Sequence, residues 1–412
     1  MVAAAGLAAQ DVRPKDVRDA AKGGSDAIPR LQQFLKNPSV DVRVEAVKQI
    51  TEIGTQRSLD PLIQAARDND PEVQIRATDG LVNFYLPGYA KTGLSATLHR
   101  AGTSIKGHFT DTNDQVIDAY VVVRPEVIDA IGRLASGGAS MEVRANAARA
   151  AGVLRGKAAV NDLVEAVHTK DSEVIYESLI ALQKIRDQSA APRVTFLLHD
   201  LDPKVQVAAI ETTGLLQDKS VLPELADVLD HSRDARVRRA ALTAIAMLPS
   251  ETSRPLYTRY LADKDDKLRA AAAEGFGRLR NPSDQPTLMK AWQDEGKTQP
   301  RLSMAFALVM LGRTERSEFS PLQYLINNLN SASYEGVAEP FLVELARDDQ
   351  VRRALYPTLA SGTKAEKTGL AHVLARSGDA GSLPELEKLS HDPDPEVAQE
   401  GLRALRDLRA RL

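Results

Sequence analysis

Small and apolar residues recur along this chain in a helical rhythm. With Val143 as position 1, they fall at 5, 6, 8, 9 and 12: Ala147, Ala148, Ala150, Ala151 and Leu154. From Val205 the same positions hold Ala209, Ile210, Thr212, Thr213 and Leu216, and from Val397 they hold Gly401, Leu402, Ala404, Leu405 and Leu408. Steps of three and four mark one face of an α-helix, and the doubled positions widen it. So broad a stripe suits a helix sandwiched between two neighbours. Each stripe opens on the phrase Asp-Pro-x-Val or a looser form of it. Examples are Asp70-Pro71-Glu72-Val73, Asp202-Pro203-Lys204-Val205 and Asp394-Pro395-Glu396-Val397. Asp171, Asp234 and Asp265 stand at the same place in looser copies. An N-cap Asp accepts hydrogen bonds from the free N–H groups of the first turn. Pro at the next position loses nothing, because its N–H would have had no partner. These six acids therefore read as helix caps rather than catalytic carboxylates.

A shorter apolar segment precedes each start, as in Leu59–Asn69, Val221–His231 and Ser382–Asp392. The unit is then a short helix, a turn and a longer helix. Position 1 falls on Val42, Val73, Val143, Val174, Val205, Val237, Leu268, Leu302, Tyr334, Ala365 and Val397. Nine of the ten intervals lie between 31 and 34 residues and one is 70. A single hairpin of this size cannot bury both of its faces, so neighbours must stack. The predicted fold is all-α: an α-α superhelix, a right-handed α-solenoid of about eleven helical hairpins.

The motif pieces Glu142-Val143-Arg144-Ala145-Asn146-Ala147-Ala148 and Arg236-Val237-Arg238-Arg239-Ala240-Ala241-Leu242 carry a family resemblance. The pattern resembles HEAT repeats, in particular the short HEAT-like units of the phycobilisome-lyase type, over about residues 25–412 apart from one insertion. Tetratricopeptide repeats want a Trp…Leu-Gly…Tyr signature, and Trp292 is the sole tryptophan; the ankyrin Thr-Pro-Leu-His is absent. The resemblance leaves activity open. HEAT-like repeats build bilin lyases, deoxyhypusine hydroxylase, DNA glycosylases and pure scaffolds. The hydroxylase binds iron through repeated His-Glu pairs, yet none of the seven histidines here is followed by Glu. His199-Asp200 and His391-Asp392 come nearest and read as solvated helix ends.

Composition narrows the choice. The 412 residues include no cysteine, which removes disulfide frameworks, iron–sulfur clusters, Cys-ligated zinc and cysteine nucleophiles. The net charge of −3 and 4% aromatic content weigh against nucleic acid as a partner. No serine-hydrolase elbow, phosphate-binding loop or zinc-protease motif occurs. No cofactor and no metal is therefore expected. No apolar run reaches the length of a membrane span. The first residues, MVAAAGLAAQDV, resemble the end of a signal peptide without its basic start. Read so, the protein is periplasmic or secreted; otherwise it is cytoplasmic.

Two features stand out from the repeat. Position 2 of the longer helices carries Arg43, Arg144, Arg238 and Arg269, one guanidinium per repeat. Pairing with caps such as Asp234 and Asp265 is the expected role, with ligand binding as the alternative. The long interval holds an insertion, residues 87–124, which lacks Glu and is rich in Gly and Thr. Together with the flanking Tyr85 it gathers Tyr89, Phe109 and Tyr120 beside Lys91, His99, Arg100, Lys106 and His108. Leu94, Thr97 and Leu98 suggest an amphipathic turn, and Val116–Val123 an extended strand. Asp111-Thr-Asn113-Asp114 lacks the Gly and distal Glu of a calcium loop. Long insertions in repeat arrays often serve binding. These aromatic and basic residues are the candidate partner-binding set; the alternative is a loop that merely spaces the first two repeats from the rest.

The expected organisation is an N-terminal segment with a capping helix (1–24), repeats 1–2 (25–86), the insertion loop (87–124) and repeats 3–11 (125–412) as one continuous solenoid. The expected function is a non-enzymatic scaffold that binds a protein partner through its concave face and the insertion. The alternatives are a lyase-type enzyme or accessory, and attachment to an anionic polymer or membrane surface through the basic insertion.

Overall fold

The computed structural model describes residues 12–89, 115–118 and 120–412. Among them eleven helical hairpins follow one another. The second helices of repeats 1 to 5 are Val40–Ile53, Pro71–Tyr85, Met141–Val153, Ser172–Ile185 and Pro203–Leu215. Those of repeats 6 to 11 are Ala235–Met247, Asp266–Leu279, Thr298–Met310, Glu335–Leu345, Lys364–Ser377 and Pro395–Arg411. The chain forms two compact units, Met1–Thr212 and Thr213–Leu412. The boundary falls in the last turn of the second helix of repeat 5.

In the first unit the second helices of repeats 1 and 2, 2 and 3, and 3 and 4 pack on one another, and the N-terminal helix Pro14–Ala21 covers repeat 1. Repeats 2 and 3 touch directly, so the insertion is not a spacer between them. In the second unit each second helix from repeat 6 to repeat 11 packs on the next. Each unit is an all-α solenoid, and no strand occurs among the described residues. The described residues of Val116–Val123 form none. Instead Ile117, only 4% exposed, donates its N–H to the Val153 carbonyl at 3.0 Å.

Burial follows the predicted stripe. Position 1 is at most 2% exposed at Val42, Val73, Val143, Val174, Val205, Val237, Leu268 and Val397. Three copies are shifted. In repeat 9 the expected anchor Tyr334 is itself the N-cap of Glu335–Leu345, so the third residue is Val337. The second helix of repeat 8 is capped at Lys297, so its third residue is Pro300 rather than Leu302. That of repeat 10 is capped at Thr363, and Glu366, not Ala365, takes position 1. Glu366 is tolerated there because it closes a capping box, accepting from the Thr363 N–H at 2.9 Å.

Small residues set the spacing between second helices. Gly at position 10 meets Ala at position 8 of the following repeat: Gly152 on Ala181, Gly214 on Ala244 and Gly277 on Ala307. A Cβ at Gly277 would lie 2.7 Å from the Ala307 Cα, so only glycine permits this approach. The first element of repeat 5 departs from the pattern. It is two 3₁₀ turns, Gln188–Arg193 and Thr195–His199, in place of a short α-helix.

Candidate interaction face

The caps act as the sequence predicts. Asp70, Asp171, Asp265 and Asp394 each accept from the N–H groups two and three residues on. Asp202 accepts from Lys204 N–H at 2.9 Å and Asp234 from Arg236 N–H at 2.7 Å. The Arg236 guanidinium and the backbone donors hold the half-buried Asp234 carboxyl at about 2, below its usual value.

The arginine column differs from expectation in its partners. Arg43 binds Asp68 through two bonds of 2.7 and 3.0 Å, and Arg269 binds Glu295 at 2.7 and 3.1 Å. Each also donates back to carbonyls of its own hairpin turn, Asn37 and Asp263, at 2.9 and 2.8 Å. Arg144 keeps only the backward bond, to Gly138 at 3.2 Å, and among the described residues the Arg238 side chain makes neither. The acceptors Asp68 and Glu295 lie two residues before the next cap, not at the cap. Their second oxygens accept from the N–H of the capping residues, Asp70 and Lys297. A carboxylate there can face the previous repeat and the next helix start together; one at the cap is already committed to its own helix. The cap Asp265 is bound instead by Arg239, at position 3, at 2.7 Å. These guanidiniums clamp repeat to repeat and are spent on structure.

The second-helix face left over consists of positions 4 and 7, the polar points inside the apolar stripe. Between repeats 2 and 3 and between repeats 3 and 4, position 7 of one repeat bonds position 4 of the next. Asn146 donates to Asp79 at 3.1 Å, and Arg149 forks onto Glu177 at 2.8 and 3.1 Å. Glu177 is 2% exposed. Burial opposes the Arg149 charge, but the Glu177 bonds prevail and hold the guanidinium above its ordinary pKa. Glu173 extends the network to Lys204 at 3.0 Å, whose ammonium lies 3.8 Å above the Tyr176 ring.

Both described ends of the insertion come to this face. Gly88, at φ +92°, turns the chain after the second helix of repeat 2, and its N–H is held by Asn83 at 3.0 Å. The half-buried Tyr89 follows, within electrostatic reach of Asp79, Arg149 and Glu177. Burial, reinforced by Asp79, pushes its phenol pKa well up, so the hydroxyl stays protonated. On the return side Lys184 donates to the Gln115 carbonyl at 3.4 Å.

Of the predicted binding set, Tyr89 alone is placed on this face. The Tyr85 hydroxyl accepts from Arg124 N–H at 3.1 Å, a structural bond, and Tyr120, 41% exposed, donates to Asp118 at 2.8 Å. Lys91, His99, Arg100, Lys106, His108 and Phe109 lie outside the described residues, as do Leu94, Thr97, Leu98 and Asp111–Asp114. Sequence reasoning missed Asp79, Asn146, Arg149, Glu177 and Lys204. Apart from Lys204, which directly precedes position 1, their signal was present as charged or amide groups at positions 4 and 7 within the apolar stripe. Among the described residues no group of His, Asp and Glu is arranged to hold a metal ion, and no helix is long and apolar enough to cross a membrane. His199 and His391 are exposed.

Stacked helical hairpins with a polar second-helix face define a helical-repeat protein. The family pattern described as HEAT repeats matches residues 7–116, 128–200, 191–263 and 222–309, and the chain belongs to that family. No curated protein sequence matches it. Similar solved structures are more distant. The complex of CpcE and CpcF of phycocyanin lyase from Nostoc is 16% identical, with 87% of this chain and 98% of that one covered and a TM-score of 0.33. Human deoxyhypusine hydroxylase in complex with glycerol is 20% identical over 69% of this chain and 96% of that one, with a TM-score of 0.29. A chain from a structure concerned with the interaction between cadherin and β-catenin is 14% identical, with 98% of each covered and a TM-score of 0.41. Likenesses this distant say nothing about activity.

Proposed function

We propose that the protein is a non-enzymatic scaffold that binds a protein partner along the second-helix face of repeats 2–4, with the 87–124 insertion as part of the docking surface. One observation carries the reading: both described ends of the insertion meet the Asp79–Arg149–Glu177–Lys184 face. Tyr and Arg together supply the large, oriented contacts that dominate protein interfaces. Membership of a repeat family that presents extended surfaces supports the same reading.

The test is quantitative affinity capture with three proteins: the full chain, a Tyr89→Ala/Arg149→Gln variant and a chain lacking residues 90–114. A partner identified with the full chain is then purified and titrated against all three. Loss of at least tenfold in affinity, with the helical circular dichroism unchanged, is the expected result. Equal binding by all three would overturn the reading. Binding that vanishes in moderate salt and on changing Lys91, Arg100 and Lys106 to Ala would point instead to an anionic surface. Stoichiometric metal in the purified protein would reopen the enzyme alternative.

A further inference from the structure

The second helices of repeats 9, 10 and 11 lie side by side in the second unit. His372, on the middle one, faces a carboxylate on each neighbour. Its Nδ1 lies 3.4 Å from Glu339 and its Nε2 3.2 Å from Glu400. A neutral imidazole has one N–H and can donate to one of these acids; an imidazolium donates to both. Each acid has a second partner: Arg376 donates to Glu339 at 2.9 Å, and Arg403 to Glu400 at 3.1 Å. With both acids ionised, these four groups already balance. The charge on His372 therefore decides whether the middle helix is bonded on both sides or on one.

Most other charged groups on the surrounding helices are engaged elsewhere. Glu344 pairs with Arg278, Glu396 with Lys364 and Lys367 with Asp392. On the first helix of repeat 10, Asp349–Ser361, Arg352 and Arg353 bind Asp349. On the first helix of repeat 11, Leu383–Leu389, Lys388 binds Glu385. Glu335, one turn before Glu339, makes no hydrogen bond or ion pair to the imidazole.

We propose that His372 is a proton-operated latch, tying the second helices of repeats 9, 10 and 11 together when protonated and loosening one of the two joints when it loses its proton. The bond from Glu339, opposed by burial and aided by Glu400, raises its pKa above the ordinary 6.5. The native value being the higher one, the latch is complete below the unfolded imidazole value of about 6.5. It is lost as pH rises through the native value, so these repeats are tighter in mildly acidic than in alkaline solution.

The experiment joins two readouts on the full chain. The first is the titration of the imidazole carbon resonances, with His372 assigned by comparison with His372→Gln. A midpoint above 6.5 in the wild type, falling in Glu400→Gln, is expected. The second is amide exchange, expressed as protection relative to intrinsic rates, over residues 364–411 between pH 6 and pH 9. Wild-type protection should fall several-fold across this range, while His372→Gln should show a flat profile. A midpoint at or below 6.5, or equal protection profiles in wild type and His372→Gln, would overturn the latch. Should His372→Gln fold poorly, the Glu400→Gln shift alone decides.

Discussion

Replacing Gly277 by Ala tests the packing rule that spaces the second helices. Alanine favours a helix interior over glycine by about 1 kcal/mol, so propensity alone predicts a more stable protein. Packing predicts the reverse. The new Cβ would lie 2.7 Å from the Cα and 3.0 Å from the Cβ of Ala307, whereas carbon atoms rest at about 3.5–4.0 Å. The obstacle is backbone and cannot rotate away. The helices Asp266–Leu279 and Thr298–Met310 must therefore move apart by about 1 Å, which forfeits a quarter to a half of the dispersion at their contact. Overpacking of this kind costs about 1–3 kcal/mol. Because the obstacle is backbone, the cost belongs in the upper part of that range, about 2–3 kcal/mol, and less the propensity gain the net expectation is a loss of about 1–2 kcal/mol. Gly336→Ala is the matched control. Nothing lies within 4 Å of its added Cβ and its φ is not positive, so it should gain up to about 1 kcal/mol. Urea unfolding followed at 222 nm measures both, with midpoints compared directly because repeat arrays need not unfold in one step. The same substitution should thus move the midpoint in opposite directions at the two sites. A Gly277→Ala protein as stable as the wild type would refute the close-approach argument.

Val205, fully buried at position 1 of repeat 5, becomes an unpaired buried charge in Val205→Asp, and on the order of 3–5 kcal/mol of stability should be lost in the same assay. Arg269→Ala strands Glu295, whose side chain is 7% exposed, and should cost about 2–4 kcal/mol; Arg269→Lys should recover less than half, since an ammonium cannot reproduce the paired bonds. Burial opposes the Glu295 charge, but the Arg269 bonds prevail and hold its pKa below 4.5. The pair's contribution is therefore present above the unfolded value and fades as pH falls through the lower native one, so Arg269→Ala should flatten the acid limb of a stability profile between about pH 5 and 3. Deleting residues 90–114 should leave the helical fold, read by circular dichroism, largely intact, because the second helices of repeats 2 and 3 pack directly on one another; a collapse of that signal would show the insertion to be structural.

The repeat was legible because its causes are local. A capping Asp, a Pro that loses no bond and a small-residue stripe each leave a mark within a dozen residues. Register failed where those marks were missing. The second helix of repeat 8 starts after Lys297, which supplies no cap, and then runs through Leu302, Met304, Phe306 and Leu308, all at most 1% exposed. A helix buried all round has no polar side to fix its phase. Leu302 therefore reads as the anchor, two residues from Pro300. The 3₁₀ opening of repeat 5 left no mark of this kind: Pro192 stands five residues after the Asp187 cap, just as Pro223 follows Asp218 where an α-helix forms.

The interaction face was illegible because it belongs to pairs of repeats. Positions 1, 5, 8 and 9 are dictated by packing and would read alike in a scaffold of any specificity. Caps and clamping arginines are dictated by helix starts and by the joint to the next repeat. What remains free to vary is the strip at positions 4 and 7, and there the repeats do differ. It is Asp79, Asn146, Arg149 and Glu177 in repeats 2–4, Ile180 and Ala208 across repeats 4 and 5, and His372 with Glu400 in repeats 10 and 11. A periodic search averages this strip away as noise. Once the stacking register is known, position 7 of repeats 2, 3 and 10 is seen to face position 4 of the next, and the irregular residues become the informative ones. Specificity in such an array must therefore be sought in the departures from its consensus, which the stack can vary without disturbing the core.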